Sequence, residues 1–181
     1  MNSERLTTKA QEAIQDATTI AHQHDHGMLE AEHLLSSLMR QENGVVPALL
    51  NRLEIPIARV EQQLNQSLGN KPKIYGEGAQ LNMSPQLSRL LAKAEGEAKR
   101  LGDEYVSTEH ILLVLLDSET EAGKVLKGAG VTKARVEGAL SEIRGGQKVT
   151  DQDPENRYRV LERYCKDLTA LARDEKLDPV I

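Results

Sequence analysis

The 181-residue chain has no tryptophan, no phenylalanine and only four tyrosines. A core without large rings must be built from Leu, Ile, Val, Ala and Met, which suits packed helices better than a sheet of aromatic and β-branched residues. The expected fold class is all-α. Cysteine is reduced to Cys165, which excludes an internal disulfide and agrees with a reducing compartment. No histidine in its helix activates that thiol, so Cys165 reads as a spare apolar side chain. No apolar run approaches the length of a membrane span, and Met1-Asn2-Ser3-Glu4-Arg5 lacks a signal-peptide hydrophobic region. A cytoplasmic location and no membrane partner are expected. The formal charge of −5 comes from interspersed signs, without a basic stripe or a stacking platform, which argues against nucleic acid. Also missing is any Gly-x-x-x-x-Gly-Lys-Ser/Thr loop, so no ATP hydrolysis and no cofactor are expected of this stretch. No paired-carboxylate, nucleophile–base or metal constellation points to an enzyme.

What the chain does contain is a duplication, within a composition that is 39% apolar. Glu32, His33, Leu35, Leu38 and Glu42 recur at an offset of 77 as Glu109, His110, Leu112, Leu115 and Glu119. Upstream, the same offset pairs Thr7 with Ser84, Ile14 with Leu91, Ala17 with Ala94 and Ala21 with Ala98. After one deletion, Ala58, Arg59, Val60, Glu61 and Leu64 reappear at an offset of 76 as Ala134, Arg135, Val136, Glu137 and Leu140. Two copies of one helical unit, each too small to bury its apolar face well, gain stability by closing on each other across a pseudo-twofold seam.

Four helices are expected per copy. Thr7 caps the first, with Ala10, Ala13, Ile14, Ala17, Ile20 and Ala21 at helical spacing. Others run from about Glu30 to Gln41, from Val45 to Leu53, and from Pro56 through Val60, Leu64 and Leu68. The breaker-rich stretch 69–83 reads as a surface strap between repeat one (1–68) and repeat two (84–145). Ser84-Pro85 opens the second copy, followed by helices from Ser107 or Thr108, from Glu121 to Lys127 and from Thr132 to Ile143. After Gly145-Gly146 a polar linker, 146–154, leads to a helical stretch from Glu155 to Lys176. Its stripe of Tyr158, Leu161, Cys165, Leu168, Leu171 and Ala172 has no obvious partner in the chain.

The paired Glu-His motifs, Gly145-Gly146, Val149-Thr150-Asp151-Gln152, Lys166-Asp167-Leu168-Thr169-Ala170-Leu171-Ala172 and Leu177-Asp178-Pro179-Val180-Ile181 together resemble the N-terminal portion of ClpB-type AAA+ disaggregases. The resemblance covers the whole chain. It implies an eight-helix Clp N-domain over 1–145, a mobile linker, and the first helix of a truncated AAA+ domain over 155–181. It implies a stress-response chaperone that binds unfolded or aggregated polypeptide and works with a co-chaperone system. The parent would be a homohexamer using ATP and Mg, and this stretch alone a monomer. Positions matching Thr7, Asp103 and Glu109 are implicated in client binding. If the copies pair symmetrically, Leu87, Leu90, Leu91, Tyr105, Val106 and Ile111 would supply an apolar floor. Val180 and Ile181 would help hold adenine in the parent.

The alternative is a ClpC-type unfoldase N-domain that binds adaptors or phosphoarginine-tagged clients for a protease, with Glu32 and Glu109 each accepting from a guanidinium. Structural roles compete at several of these positions. Thr7 is also a helix cap, Glu109 sits where the helix dipole favours a carboxylate, and periodic leucines normally face inward. His22, His24 and His26 lie near His33, but His24 is off the helical face shared by the other two, and no metal is expected. His33 and His110 are expected as buried hydrogen-bonding partners that fix the helix starts.

Overall fold

A computed structural model describes residues 3–74, 80–154 and 158. Eight α-helices stand among them: α1 (Thr8–Gln23), α2 (Ala31–Arg40), α3 (Val45–Arg52), α4 (Ile57–Gly69), α5 (Pro85–Leu101), α6 (Thr108–Leu116), α7 (Glu121–Gly128) and α8 (Lys133–Arg144). The fold is all-α, as the aromatic-poor composition requires. Two short strands, β1 (Met28–Leu29) and β2 (Asn82–Met83), form a small parallel ladder.

Helix starts follow the capping chemistry. Thr7, Ser84, Thr120 and Thr132 each accept a hydrogen bond from a backbone N–H three residues on, at 3.1–3.3 Å. Pro85 fills the first turn of α5, where its missing N–H costs nothing. Gly102 ends α5 at φ 75°, a left-handed conformation natural to glycine, and its counterpart Asp25 follows α1 at φ 59°.

Both copies place the long α1 and α5 outside and the short α2 and α6 inside. Every residue of α6 is buried, as is α2 from Ala31 to Met39. Each central helix packs against its own repeat and also against the other's third helix: α2 meets α7 and α6 meets α3. A helix covered on all sides loses its solvent face, which is why Glu32, Ser36 and Ser37 are buried beside the expected leucines. Burial of each large aliphatic side chain contributes about 1.5–3 kcal/mol, and Leu34, Leu35, Leu38, Leu112, Leu113 and Leu115 are among the best buried.

The entry strands interlock the copies. Leu6, just before α1, pairs in parallel with Val106, just before α6, while Met83, just before α5, pairs with Leu29, just before α2. Positions 6 and 83, like 29 and 106, differ by 77, so this reciprocal exchange is the one a pseudo-twofold relation demands. The hydrogen bonds repeat too: Thr7 N–H donates to the Val106 carbonyl at 2.9 Å, and Ser84 N–H to the Leu29 carbonyl at 2.9 Å.

Each copy also returns its tail to the same place. After α4 the chain runs back so that Lys73 bridges His26 and Ile74 N–H reaches the Asp25 carbonyl at 2.7 Å. After α8, Glu104 N–H reaches the Val149 carbonyl at 2.9 Å, and Val149 is fully buried. The expected linker after Gly145 therefore makes specific contacts with the body in this structure. Through Gln152 the segment docks on the body, held by main-chain bonds and one buried aliphatic side chain. The expected helix 155–176, with Leu161, Cys165, Leu168, Leu171 and Ala172, falls outside the described residues, as do Val180 and Ile181. Within its stripe only Tyr158 is described, 2% exposed with its ring centroid 5.9 Å from the Arg144 guanidinium carbon.

Candidate functional site

The starts of α2 and α6 carry one device with two different partners. In α6, Ser107 N–H donates to His110 Nδ1 at 2.9 Å, so the imidazole proton sits on Nε2 and points at Asp103 Oδ2, 2.9 Å away. In α2, Glu30 N–H donates to His33 Nδ1 at 3.0 Å, and Nε2 meets His26 Nδ1 at 2.8 Å. Both histidines are fully buried hydrogen-bonding partners that fix the helix starts, as their matched positions suggested. Position 26 of copy one corresponds to position 103 of copy two, so a neutral histidine stands where a carboxylate stands in the other repeat.

That exchange decides the electrostatics. Asp103 also accepts from Arg144 Nη1 at 2.7 Å and from Val149 N–H at 2.9 Å. Burial alone would raise its carboxyl, but bonds from His110, Val149 and Arg144 outweigh this and hold it at about 2. Glu109 is 0% exposed. Burial pushes its carboxyl up, and the Arg144 guanidinium, at 2.5 and 3.1 Å from Oε1, overrides that and holds it below the ordinary carboxylate range. Arg144 is correspondingly held charged. In copy one the position matching Arg144 is Leu68, and Lys71 serves instead, 2.5 Å from Glu30 and 3.3 Å from Glu32. With His26 rather than a carboxylate at its Nε2, His33 is pushed down to about 4, by burial first and then by His26 and Lys71, against which Glu30 pulls only weakly.

Beside the second device lies an open groove of about 420 Å³. It is lined by Glu95, Ala98 and Lys99 of α5, by Glu4 and Arg5 ahead of α1, and by Asp103, Glu104, Tyr105 and Val106 of the loop before α6. Arg5, Lys99 and Glu104 are exposed and Tyr105 is half-buried, so the groove has a mixed-charge rim around one accessible ring.

Of the residues expected in a binding role, Asp103, Tyr105 and Val106 border this groove. Thr7 is buried as the cap of α1 and adjoins Val106 through the strand bridge. Glu109 lies behind the loop in its ion pair with Arg144. Leu87, Leu91 and Ile111 are buried in the common core, which corrects their placement as an open floor: α5 turns its periodic leucines inward against α6. Leu90 is also buried and borders a separate hollow with Val114 and Lys93. Sequence reasoning missed Arg144, Val149 and Lys71. Arg144 sits 41 residues from Asp103, and its repeat counterpart Leu68 gives no hint of charge. The return of each tail to its repeat was not visible in composition.

The geometry defines a duplicated all-α domain of two interlocked four-helix repeats that carries a surface groove at the entry to its second copy. The chain belongs to the Clp repeat (R) N-terminal domain family, whose sequence profile matches residues 5–129. It is similar to the chaperone protein ClpB of Bdellovibrio bacteriovorus, with 42% identity over 97% of this chain and 21% of that protein. The ClpB of Pseudomonas putida is 39% identical over 100% of this chain and 21% of its own length. The chain thus spans about a fifth of the curated relatives it matches. Its fold is similar to the crystal structure of the Hsp104 N-terminal domain from Candida albicans, with TM-score 0.73 and 25% identity over 84% of this chain and 99% of that one.

Proposed function

We propose that this chain is the substrate-recognition domain of an ATP-dependent ring chaperone that extracts and unfolds aggregated proteins, and that exposed apolar segments of its clients lie in the groove beside Tyr105. The observation that carries this reading is the similarity to ClpB chaperones along nearly the whole of this chain, a fifth of their length, together with an open, mixed-charge groove on the matched domain. The accompanying division is a Clp N-domain over 1–145 and a connection over 146–154, with 155–181 assigned to the beginning of an AAA+ domain. ATP and Mg chemistry, a homohexameric ring and a co-chaperone system belong to the parent. One half-buried ring, with Ala98 and Val106 as the remaining apolar lining, makes weak contact, since ordering a flexible client cancels much of each side chain's burial gain. Several copies in a ring restore avidity and still permit release.

Thr7, Asp103 and Glu109 serve this site as scaffold. Thr7 and Asp103 set the position of the 103–106 loop, and Glu109 holds Arg144, which in turn holds Asp103. The protease-feeding alternative is less well supported, because Lys71 and Arg144 already occupy the two glutamates that would take a client's guanidinium. The test is a titration of labelled denatured protein against wild type and the groove variants Tyr105→Ala and Lys99→Glu, with thermal melts in parallel. Weakened binding at unchanged melting temperature is expected. Unchanged binding in both variants would refute the groove assignment.

A further inference from the structure

The groove's far border is already in contact with an extended peptide, the chain's own residues 147–152. Val149 donates its N–H to Asp103 Oδ1 at 2.9 Å and accepts from Glu104 N–H at 2.9 Å, with its side chain fully buried. Three residues on, the Gln152 carbonyl accepts from Thr8 N–H at 2.8 Å, and Gln152 Nε2 donates to the Glu4 carbonyl at 3.2 Å. One residue before Val149, the Lys148 ammonium donates to the Leu101 carbonyl at the C-terminal end of α5, where the helix dipole favours a cation. Glu4, Asp103 and Glu104 belong both to this docking surface and to the groove.

Most of these contacts do not depend on side-chain identity. Main-chain groups at Thr8 and Glu104 pair with any extended segment, and Asp103 demands only a main-chain N–H, whereas the Glu4 carbonyl takes its bond from the Gln152 side chain. Selectivity comes from three places: a pocket that buries one branched aliphatic side chain, a carbonyl end that seats the cation immediately before it, and the Glu4 carbonyl, which takes a side-chain amide three residues after it.

We propose that residues 147–152 are a built-in occupant of a client site, and that an extended client with a basic residue directly before a branched aliphatic one takes their place. The proposal rests on the client-binding reading above and adds to it the class of segment bound and a means of control. The tethered segment competes at the high local concentration that a short connection imposes, so the site is masked until the tail is drawn away. A proline in the aliphatic position is excluded, because Asp103 would lose its N–H donor. Since the same tail runs on to Tyr158 against Arg144, pulling on the downstream chain is the natural way to open the site.

The experiment uses the complete 181-residue chain, as wild type and as Val149→Asp, with a fluorescent hexapeptide copying residues 147–152 and a labelled denatured protein as probes. Amide exchange at Glu104 reports whether the tail has left. The peptide is expected to bind Val149→Asp at least about tenfold more tightly than wild type, and a peptide carrying the Val149→Asp or Lys148→Glu change is expected not to bind. Equal peptide binding to both chains, or no binding to a released chain, would overturn the masked-site proposal. The denatured protein separates the two levels: binding equal in both chains leaves the client reading intact and removes the mask, whereas no binding to either chain removes the client reading itself. If Val149→Asp fails to fold, the double variant Lys148→Glu and Gln152→Ala, which keeps the buried valine, is put through the same comparison.

Discussion

Arg144 donates to Asp103 at 2.7 Å across 41 positions of sequence, and it grips Glu109 at 2.5 Å with the same guanidinium. One cation therefore neutralises two carboxylates in the interior, and the start of α6, the loop before it and the end of α8 become a single unit. In copy one the corresponding residue is Leu68, and the burden passes to the more exposed Lys71.

Replacing Arg144 by the residue of the other repeat, Arg144→Leu, leaves Asp103 and Glu109 buried without their partner. Breaking a buried pair in this way costs on the order of 3–5 kcal/mol. Urea denaturation is expected to register a loss of that size. A loss under about 1 kcal/mol, the ordinary worth of an exposed pair, would contradict the placement of these groups.

Acid should loosen the two repeats in different windows. The folded pKa of His33, about 4, lies below its ordinary 6.5, so the unfolded chain binds the extra proton and stability present above pH 6.5 is lost as pH falls through 4. Asp103, held at about 2 against 3.8, contributes stability that is present above 3.8 and lost as pH falls through 2. The groups facing the histidine pair are His24, Glu30, Lys71 and Lys73. His26→Asp copies repeat two and gives the imidazole a carboxylate partner. Denaturation midpoints followed from pH 7 to pH 4 are expected to slope downward for wild type and to lose that slope in the variant.

Glu54 stands at φ 55°, and its counterpart in copy two is Gly130, at φ 82°. A left-handed glutamate is strained relative to glycine by about 1–2 kcal/mol, of which glycine's greater freedom in the unfolded chain takes back part. Glu54→Gly, at an exposed position, is expected to stabilise by up to about 1 kcal/mol, measured as a rise in Tm.

Gly123 in α7 has the opposite character. A Cβ there would lie 2.5 Å from the Leu115 carbonyl oxygen and 2.6 Å from that of Ser118, both main-chain atoms that cannot turn aside. Gly123→Ala is expected to destabilise by about 1–3 kcal/mol, whereas Gly138→Ala, with open space around its Cβ position, should stabilise α8 slightly.

The fold was legible because it is written twice. Offsets of 77 and 76 fixed the helix pairs, and the Thr7 and Ser84 caps fixed where α1 and α5 begin. His33 and His110 were legible as structural because they occupy equal positions in both copies. The site was less so. Periodicity locates the inward face of α5 but does not say what it faces, so Leu87, Leu91 and Ile111 were assigned to a floor that is the shared core. The groove instead depends on strand exchange between Leu6 and Val106. The Arg144 cluster breaks the repeat rule, because charge at Asp103 and Arg144 answers to His26 and Leu68 in copy one. Val149 looked like linker because four polar residues surround it, and only its seat shows that one aliphatic side chain anchors the segment.

The most direct test of the account is to map the amide shifts of the chain on addition of a denatured client. Shifts concentrated at Glu95, Lys99, Glu104 and Tyr105, and abolished by Tyr105→Ala without a change in Tm, are the predicted result. Shifts centred on another face, with these four amides unmoved, would contradict it.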